Sequence, residues 1–201
     1  MASIPTLFFQ LLQITLGTRE KLDIAPTPSD WLQIFAMAKK QSLMGVCFSG
    51  VERLPKEQSP GEDLIMEWMG EAVKVQRRNQ KLNEACQELS TYFDNKGFAT
   101  CILKGQSNRI YYPTHLAYRR TPGDVDIWLF PNDSQQNSVQ QTMELLDNES
   151  RIVSLAYLHA ELKPLNTVAI EAHFRPTFLN EPIHNHRLQQ WFAESKADCI
   201  M

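Results

Sequence analysis

The chain has 201 residues, 43% of them hydrophobic and 21% charged, enough for one sizeable core or two small ones and too apolar for a disordered chain. Twenty Lys and Arg against twenty-three Asp and Glu leave a formal net charge of −3, so no global basic field exists to hold duplex nucleic acid or an anionic membrane. Any anionic ligand must meet a local cluster.

The first half reads as helical. Pro5 stands where a first helical turn tolerates proline, and Leu7, Phe8, Leu11, Leu12 and Ile14 to Leu16 follow at helical intervals up to Gly17. Pro26 and Pro28 mark a loop that ends at Ser29, a good N-cap, and Trp31, Leu32, Ile34, Phe35 and Ala38 supply the stripe of a second helix. Met44 to Leu54 is a third. After Pro55, Pro60 and Gly61 the longest periodic segment runs from Glu62 to about Asp94, with mixed charges on its polar face.

The pattern changes at Asn95-Lys96-Gly97, a helix stop. Phe98 to Leu103 is short, apolar and rich in strand formers, and a turn and short helix from Gly105 to Tyr112 follow. A second strand is expected at Asp124 to Phe130 and a helix at Asp133 to Leu146. Two strands are expected at Ser154 to Leu162 and Thr167 to Phe174, joined by Lys163-Pro-Leu-Asn166, and a helix at Arg187 to Ser195 closes the chain. The expected architecture is α+β, a helical region over residues 1–95 followed by a small mixed-sheet unit over residues 96–201.

The cysteines Cys47, Cys86, Cys101 and Cys199 are widely separated and have no metal-ligand spacing, so they read as reduced, ordinary residues. The apolar opening from Ile4 to Leu16 lacks a basic flank and carries Gln10 and Gln13, unlike a signal peptide. No apolar run is long enough for a membrane span. The expected address is the cytoplasm.

Asp124-Val-Asp126 is the first candidate site. On a strand, residues i and i+2 share a face, so both carboxylates project together while Val125, Ile127 and Leu129 fill the core side. Like charges this close repel unless a cation lies between them, and a hard ion such as Mg²⁺ takes one or two carboxylates while leaving room for phosphate oxygens. Two exposed acids at a strand end are the competing reading. Context favours the ion: from Asn95 to Gly123 there are five basic residues, Lys96, Lys104, Arg109, Arg119 and Arg120, and no acidic one. Cations beside a metal-binding carboxylate pair suit a nucleoside triphosphate. Leu103-Lys104-Gly105-Gln106-Ser107 follows a predicted strand and opens a predicted helix, where Gly105 lets the backbone approach an anion and Ser107 offers a hydroxyl. It is neither a Walker A nor a Gly-x-Gly-x-x-Gly sequence, and a plain strand-to-helix turn is its alternative.

In Val168-Ala-Ile-Glu171-Ala-His173-Phe-Arg175, Glu171 and His173 share one strand face and Val168, Ile170 and Ala172 the other. A third carboxylate beside a two-metal site can bind one ion and accept the proton of an attacking hydroxyl; a surface residue paired with Arg175 or His173 is the alternative. His184 and His186 with His173 offer no helical zinc spacing. Tyr111, Tyr112, Tyr118 and Trp128 can stack a base, although core packing explains them more simply.

These segments, taken in order with Tyr112-Pro113 and with Arg120 just before Gly123-Asp-Val-Asp-Ile-Trp128, resemble the uncharacterised bacterial nucleotidyltransferase family of the DNA polymerase β-like superfamily. The Asp30-Trp31 helix, Ala36-x-Ala-Lys-Lys-Gln41 and Gly45-Val-Cys-Phe48 resemble that family's helical lead-in. The resemblance implies an α+β fold whose core, residues 96–201, is a minimal nucleotidyltransferase unit; relatives usually continue into further helices that could cover nucleotide and acceptor, a C-terminal extension this sequence is expected to lack. It implies transfer of a nucleoside monophosphate from an NTP such as ATP to an acceptor hydroxyl, with two Mg²⁺ ions, or Mn²⁺, held by Asp124 and Asp126. Glu171 would complete the nucleophile-side metal and help deprotonate the acceptor. Gly105 and Ser107 would cradle the triphosphate, with Lys104 or Arg120 as counter-charges. A glycosyltransferase using Asp-x-Asp to bind Mn²⁺ and a nucleotide sugar is disfavoured by the helical half that precedes the motif. A catalytically silent module of the same fold, binding a protein partner, is the third reading.

Overall fold

The computed structural model describes residues 3–132 and 138–196. Among them are six α-helices and a five-stranded mixed sheet, an α+β fold with its helices concentrated in the N-terminal half. The chain forms two compact units. One holds the residues up to 80 together with 109–122; the other holds 81–108 and the residues from 123 onward.

The first unit is helical. Helix α1 (Ile4–Thr15) is capped by Ser3 and takes Pro5 in its first turn. Helix α2 (Pro28–Lys40) starts two residues before the expected position: its cap is Thr27, not Ser29. Thr27 and Asp30 form a reciprocal capping box, in which the Asp30 amide donates to Thr27 Oγ1 at 3.2 Å and the Thr27 amide to Asp30 Oδ2 at 2.9 Å. Helix α3 (Met44–Val51) and the start of α4 (Glu62–Asp94) complete a core of Leu7, Phe8, Leu11, Ile14, Trp31, Ile34, Phe48 and Trp68. Trp68 donates its indole N–H to the Met44 carbonyl at 2.9 Å, which spares a buried donor its desolvation cost. Cys47 lies in this core, and burial pushes its thiol up to about 12. None of Cys47, Cys86 and Cys101 is in a disulfide among the described residues; Cys199 lies outside them. No described helix is long and apolar enough to cross a membrane.

The second unit is built on strands β1 (Phe98–Leu103), β2 (Val125–Pro131), β3 (Ile152–Leu155), β4 (His159–Leu165) and β5 (Val168–His173), in the order β1-β2-β5-β4-β3. Only the β2–β5 pair is parallel. Val125, Ile127 and Leu129 pack on one side with Ile170, Ala172 and the residues Leu82, Ala85, Leu89 and Phe93 of α4. Trp128 and Phe130 point to the other side and pack with Ala99 and with Phe192 of α6 (Pro182–Glu194).

Several boundaries differ from expectation. The single strand expected over Ser154 to Leu162 is a hairpin, β3 and β4, closed by Ala156 N–H donating to the His159 carbonyl at 2.9 Å; the turn contains neither Gly nor Pro, so no breaker announced it. Lys163-Pro-Leu-Asn166 is not the next connection, because Lys163 to Leu165 still belong to β4. The turn is Asn166-Thr167, at φ of +49° and +72°. Pro164 is tolerated at the register shift between Leu162 and Leu165. The helix expected from Gly105 is a short 3₁₀ turn over Ser107–Tyr111, and the last helix begins at Pro182 instead of Arg187. Helix α5 spans Ser138–Asn148; residues 133–137 of the expected helix lie outside the described residues.

Two glycines of the first unit test its packing with opposite signs. A Cβ on Gly45 would lie 2.4 Å from the Arg119 carbonyl oxygen, whereas one on Gly70, in the exposed part of α4, meets nothing within 4 Å. Gly45→Ala is expected to lower the unfolding free energy by about 1–3 kcal/mol, and Gly70→Ala to raise it by roughly 0.5–1 kcal/mol, both read from urea unfolding.

Candidate active site

The site is assembled by strand register in the second unit. Asp126 is the second residue of β2, and its Cα partners are Leu103 on antiparallel β1 and Glu171 on parallel β5. Asp124 immediately precedes β2 and is half-buried. Because register partners share a face, the β2 carboxylate and the β5 carboxylate stand side by side, away from the Val125, Ile127 and Leu129 core. On the next strand outward, β4 places Glu161 opposite Glu171 and His159 opposite His173.

Lys104 follows directly on β1. Its backbone and that of Gly105 both take positive φ, +45° and +28°, a conformation that an L side chain adopts only when its surroundings impose it. The Ser107 amide and hydroxyl both donate to the Lys104 carbonyl, at 2.8 and 2.6 Å, and hold the kink closed. The Lys104 ammonium then donates to Asp126 Oδ1 at 2.7 Å. Its hydrogen bond to Asp126 raises its pKa most; burial opposes this, and the charges of Asp126, Glu171 and Asp124 add to the rise. Three carboxylates thus act on one ammonium.

Asp126 has a second donor. His173, whose side chain is 3% exposed, brings Nε2 to 3.0 Å from Asp126 Oδ1 and 3.5 Å from Glu171 Oε2. Burial by itself would push the Asp126 carboxyl up, but hydrogen bonds from His173 and Lys104 outweigh it and hold the pKa down at about 2.

The remaining expected site residues are placed as follows. Gly105 is half-buried within the kink, and the Ser107 hydroxyl is spent on the Lys104 carbonyl. Gln106 is buried, with Nε2 donating to Asn83 Oδ1 of α4 at 3.0 Å. Arg120 belongs to the first unit, where it donates to the Thr121 carbonyl at 3.0 Å and its own carbonyl accepts from Asn79 at 2.7 Å. Of the other basic residues in the stretch, Lys96 pairs with Glu149, Arg109 with the Tyr118 hydroxyl and Arg119 with Glu52. Lys104 is the one that faces the carboxylates. Sequence reasoning missed His159 altogether; alternation along a strand opposite His173 would have exposed it, had the hairpin been placed.

Carboxylate oxygens are the donors a hard divalent cation takes, but the convergent donor group among the described residues is His159, Glu171 and His173, and Asp124 and Asp126 are not part of it. Asp124, Asp126 and Glu171 offer carboxylate oxygens on adjoining backbone positions, and their charges exceed that of Lys104. The low Asp126 pKa also carries stability. Its contribution is fully present above the unfolded value of 3.8 and is lost as pH falls through the folded value of about 2. With a chelator present, the unfolding free-energy difference between wild type and Asp126→Asn is expected to shrink by about 2 kcal/mol between roughly pH 5 and pH 2, as read from denaturant titrations across that range.

No match was found among curated proteins or among solved structures. A family described as "Uncharacterised nucleotidyltransferase" matches residues 27–199, a span that takes in Lys104, Asp124, Asp126 and Glu171. The chain belongs to this uncharacterised nucleotidyltransferase family.

Proposed function

We propose that the chain transfers a nucleoside monophosphate from an NTP to an acceptor hydroxyl, with Mg²⁺ held by Asp124, Asp126 and Glu171. The observation that supports this most is the side-by-side register of Asp126 and Glu171 on a parallel strand pair, with Asp124 just before the same strand. When bound, the ion would neutralise phosphate oxygens and lower the pKa of the attacking hydroxyl. Glu171, a half-buried carboxylate at the edge of this group, is suited to accept the hydroxyl proton. The acceptor oxygen bonds to the α-phosphorus, the bond to the bridging oxygen breaks, and pyrophosphate leaves with that electron pair. Lys104, 62% exposed at its side chain, is the cation positioned to meet the triphosphate.

Incubation with each labelled NTP, Mg²⁺ and a set of hydroxyl acceptors is the direct test, read as pyrophosphate release and a labelled product. Asp124→Asn and Asp126→Asn are each expected to weaken Mg²⁺-dependent NTP binding at least about tenfold while leaving the circular dichroism spectrum unchanged. Calorimetric titrations indistinguishable from wild type would overturn the assignment. Lys104→Met should act with opposite signs on the two ligands. Removing the competing ammonium strengthens Mg²⁺ binding without nucleotide, and removing the counter-charge weakens NTP binding.

A further inference from the structure

The side-chain groups around Glu171 include two imidazoles that the transferase reading does not use. His159, Glu171 and His173 each offer one donor atom, and the three atoms lie within 4.8 Å of one another. His173 Nε2 is 3.5 Å and His159 Nδ1 is 3.7 Å from the same oxygen, Glu171 Oε2. Those separations approach the roughly 3.3–3.5 Å between ligand atoms that bonds of about 2.0–2.1 Å to a tetrahedral ion produce.

The hydrogen bonding of the two imidazoles leaves room for an ion. His159 Nδ1 is buried and has no hydrogen-bond partner, its nearest acid being Glu171 at 3.7 Å. His173 is placed between two acceptors: Nδ1 faces the Arg175 carbonyl oxygen at 3.3 Å and Nε2 faces Asp126 Oδ1 at 3.0 Å. An imidazolium satisfies both acceptors, but a neutral imidazole has one N–H for the two, and its other nitrogen then sets a lone pair against an oxygen. A metal ion on the Nε2 of the neutral ring would take that lone pair and replace the imidazole's hydrogen bond to Asp126 with the ion's own charge, with Nδ1–H donating to a backbone carbonyl as metal-bound histidines commonly do.

We propose that His159, Glu171 and His173 form a binding site for one divalent transition-metal ion of the zinc class, distinct in donor chemistry from the carboxylate pair. Imidazole nitrogen suits Zn²⁺ and its neighbours, whereas Mg²⁺ takes oxygen donors and keeps its waters. Three protein ligands leave a fourth position open, as in zinc sites that bind water or substrate. The inference meets the proposed function at Glu171, whose second oxygen is left to the carboxylate pair, and does not depend on nucleotide transfer occurring.

The test uses the full chain stripped with chelator and titrated with Zn²⁺ alone, followed by calorimetry and by the ring ¹⁵N resonances of its histidines. Wild type is expected to bind one equivalent of Zn²⁺ at least about tenfold more tightly than Mg²⁺, and His159→Gln and His173→Gln each to lose at least about tenfold in Zn²⁺ affinity. In wild type, where no folding question arises, Zn²⁺ is expected to shift His159 Nδ1 and His173 Nε2 and to leave His184 and His186 in place. Asp124→Asn is expected to keep Zn²⁺ affinity within about threefold while losing Mg²⁺-dependent ATP binding. Unmoved His159 and His173 resonances, or equal Zn²⁺ affinity in wild type and His159→Gln, would overturn the zinc site. Absence of Mg²⁺-dependent ATP binding in wild type with the histidine shifts intact would count against the transferase reading alone and support the metal site.

Discussion

A carboxylate with 6% of its side chain exposed can stay ionised only if the protein replaces the water it has lost. For Asp126 that replacement consists of one ammonium and one imidazole, both bonded to the same oxygen. The arrangement requires β1, β2 and β5 to be in register, since Lys104 follows β1 and His173 ends β5. A slip of one residue in either pairing would turn Asp126 toward Ile127's neighbours in the core and leave it without a donor. Strand pairing and charge compensation are therefore one constraint, and the buried faces of β2 hold it in place: Val125, Ile127 and Leu129 on one side, Trp128 and Phe130 on the other.

The kink at Lys104 serves the same end. Two successive residues at positive φ cost free energy, roughly 1–3 kcal/mol for a non-glycine residue, and the Ser107 amide and hydroxyl offset part of it by closing the turn on the Lys104 carbonyl. Had the chain left β1 in a relaxed conformation, alternation would have continued Lys104 to the face opposite Leu103. The kink breaks that alternation and lets the ammonium reach the residue paired with Leu103.

Much of this was legible in the sequence where local chemistry and periodicity agree. The bounds of α4 follow from Gly61 before it and Gly97 after it, and β1 stands between a helix stop and a polar turn. The core face of Val125, Ile127 and Leu129 follows from strand alternation and is found packed as expected, while Asp124, expected on the same strand, lies just before it. What the sequence could not show is which strands are neighbours. Asp126 and Glu171 are 45 residues apart, and only sheet order places them side by side. The hairpin at Ala156 to Leu158 has no breaker, so β3 and β4 merged into one expected strand and His159 drew no notice. The run of five basic residues looked like one cluster because it is contiguous in sequence, yet most of its members are paired elsewhere: Lys96 with Glu149, Arg109 with Tyr118, Arg119 with Glu52.

The two donors to Asp126 differ in how readily they leave. Lys104 is a single ammonium on a flexible, 62% exposed stem, making one contact that water can replace at small cost. An arginine there would grip the carboxylate with two parallel bonds and release it less easily. His173 has 3% of its side chain exposed, and its Nδ1 is tied to the Arg175 carbonyl, so its ring cannot swing away without leaving a polar group buried and unpaired. A cation bound as proposed would therefore displace the lysine before it disturbed the imidazole. The site is asymmetric by construction: on the outside a charge whose contact water can replace, on the inside an imidazole held by its own burial.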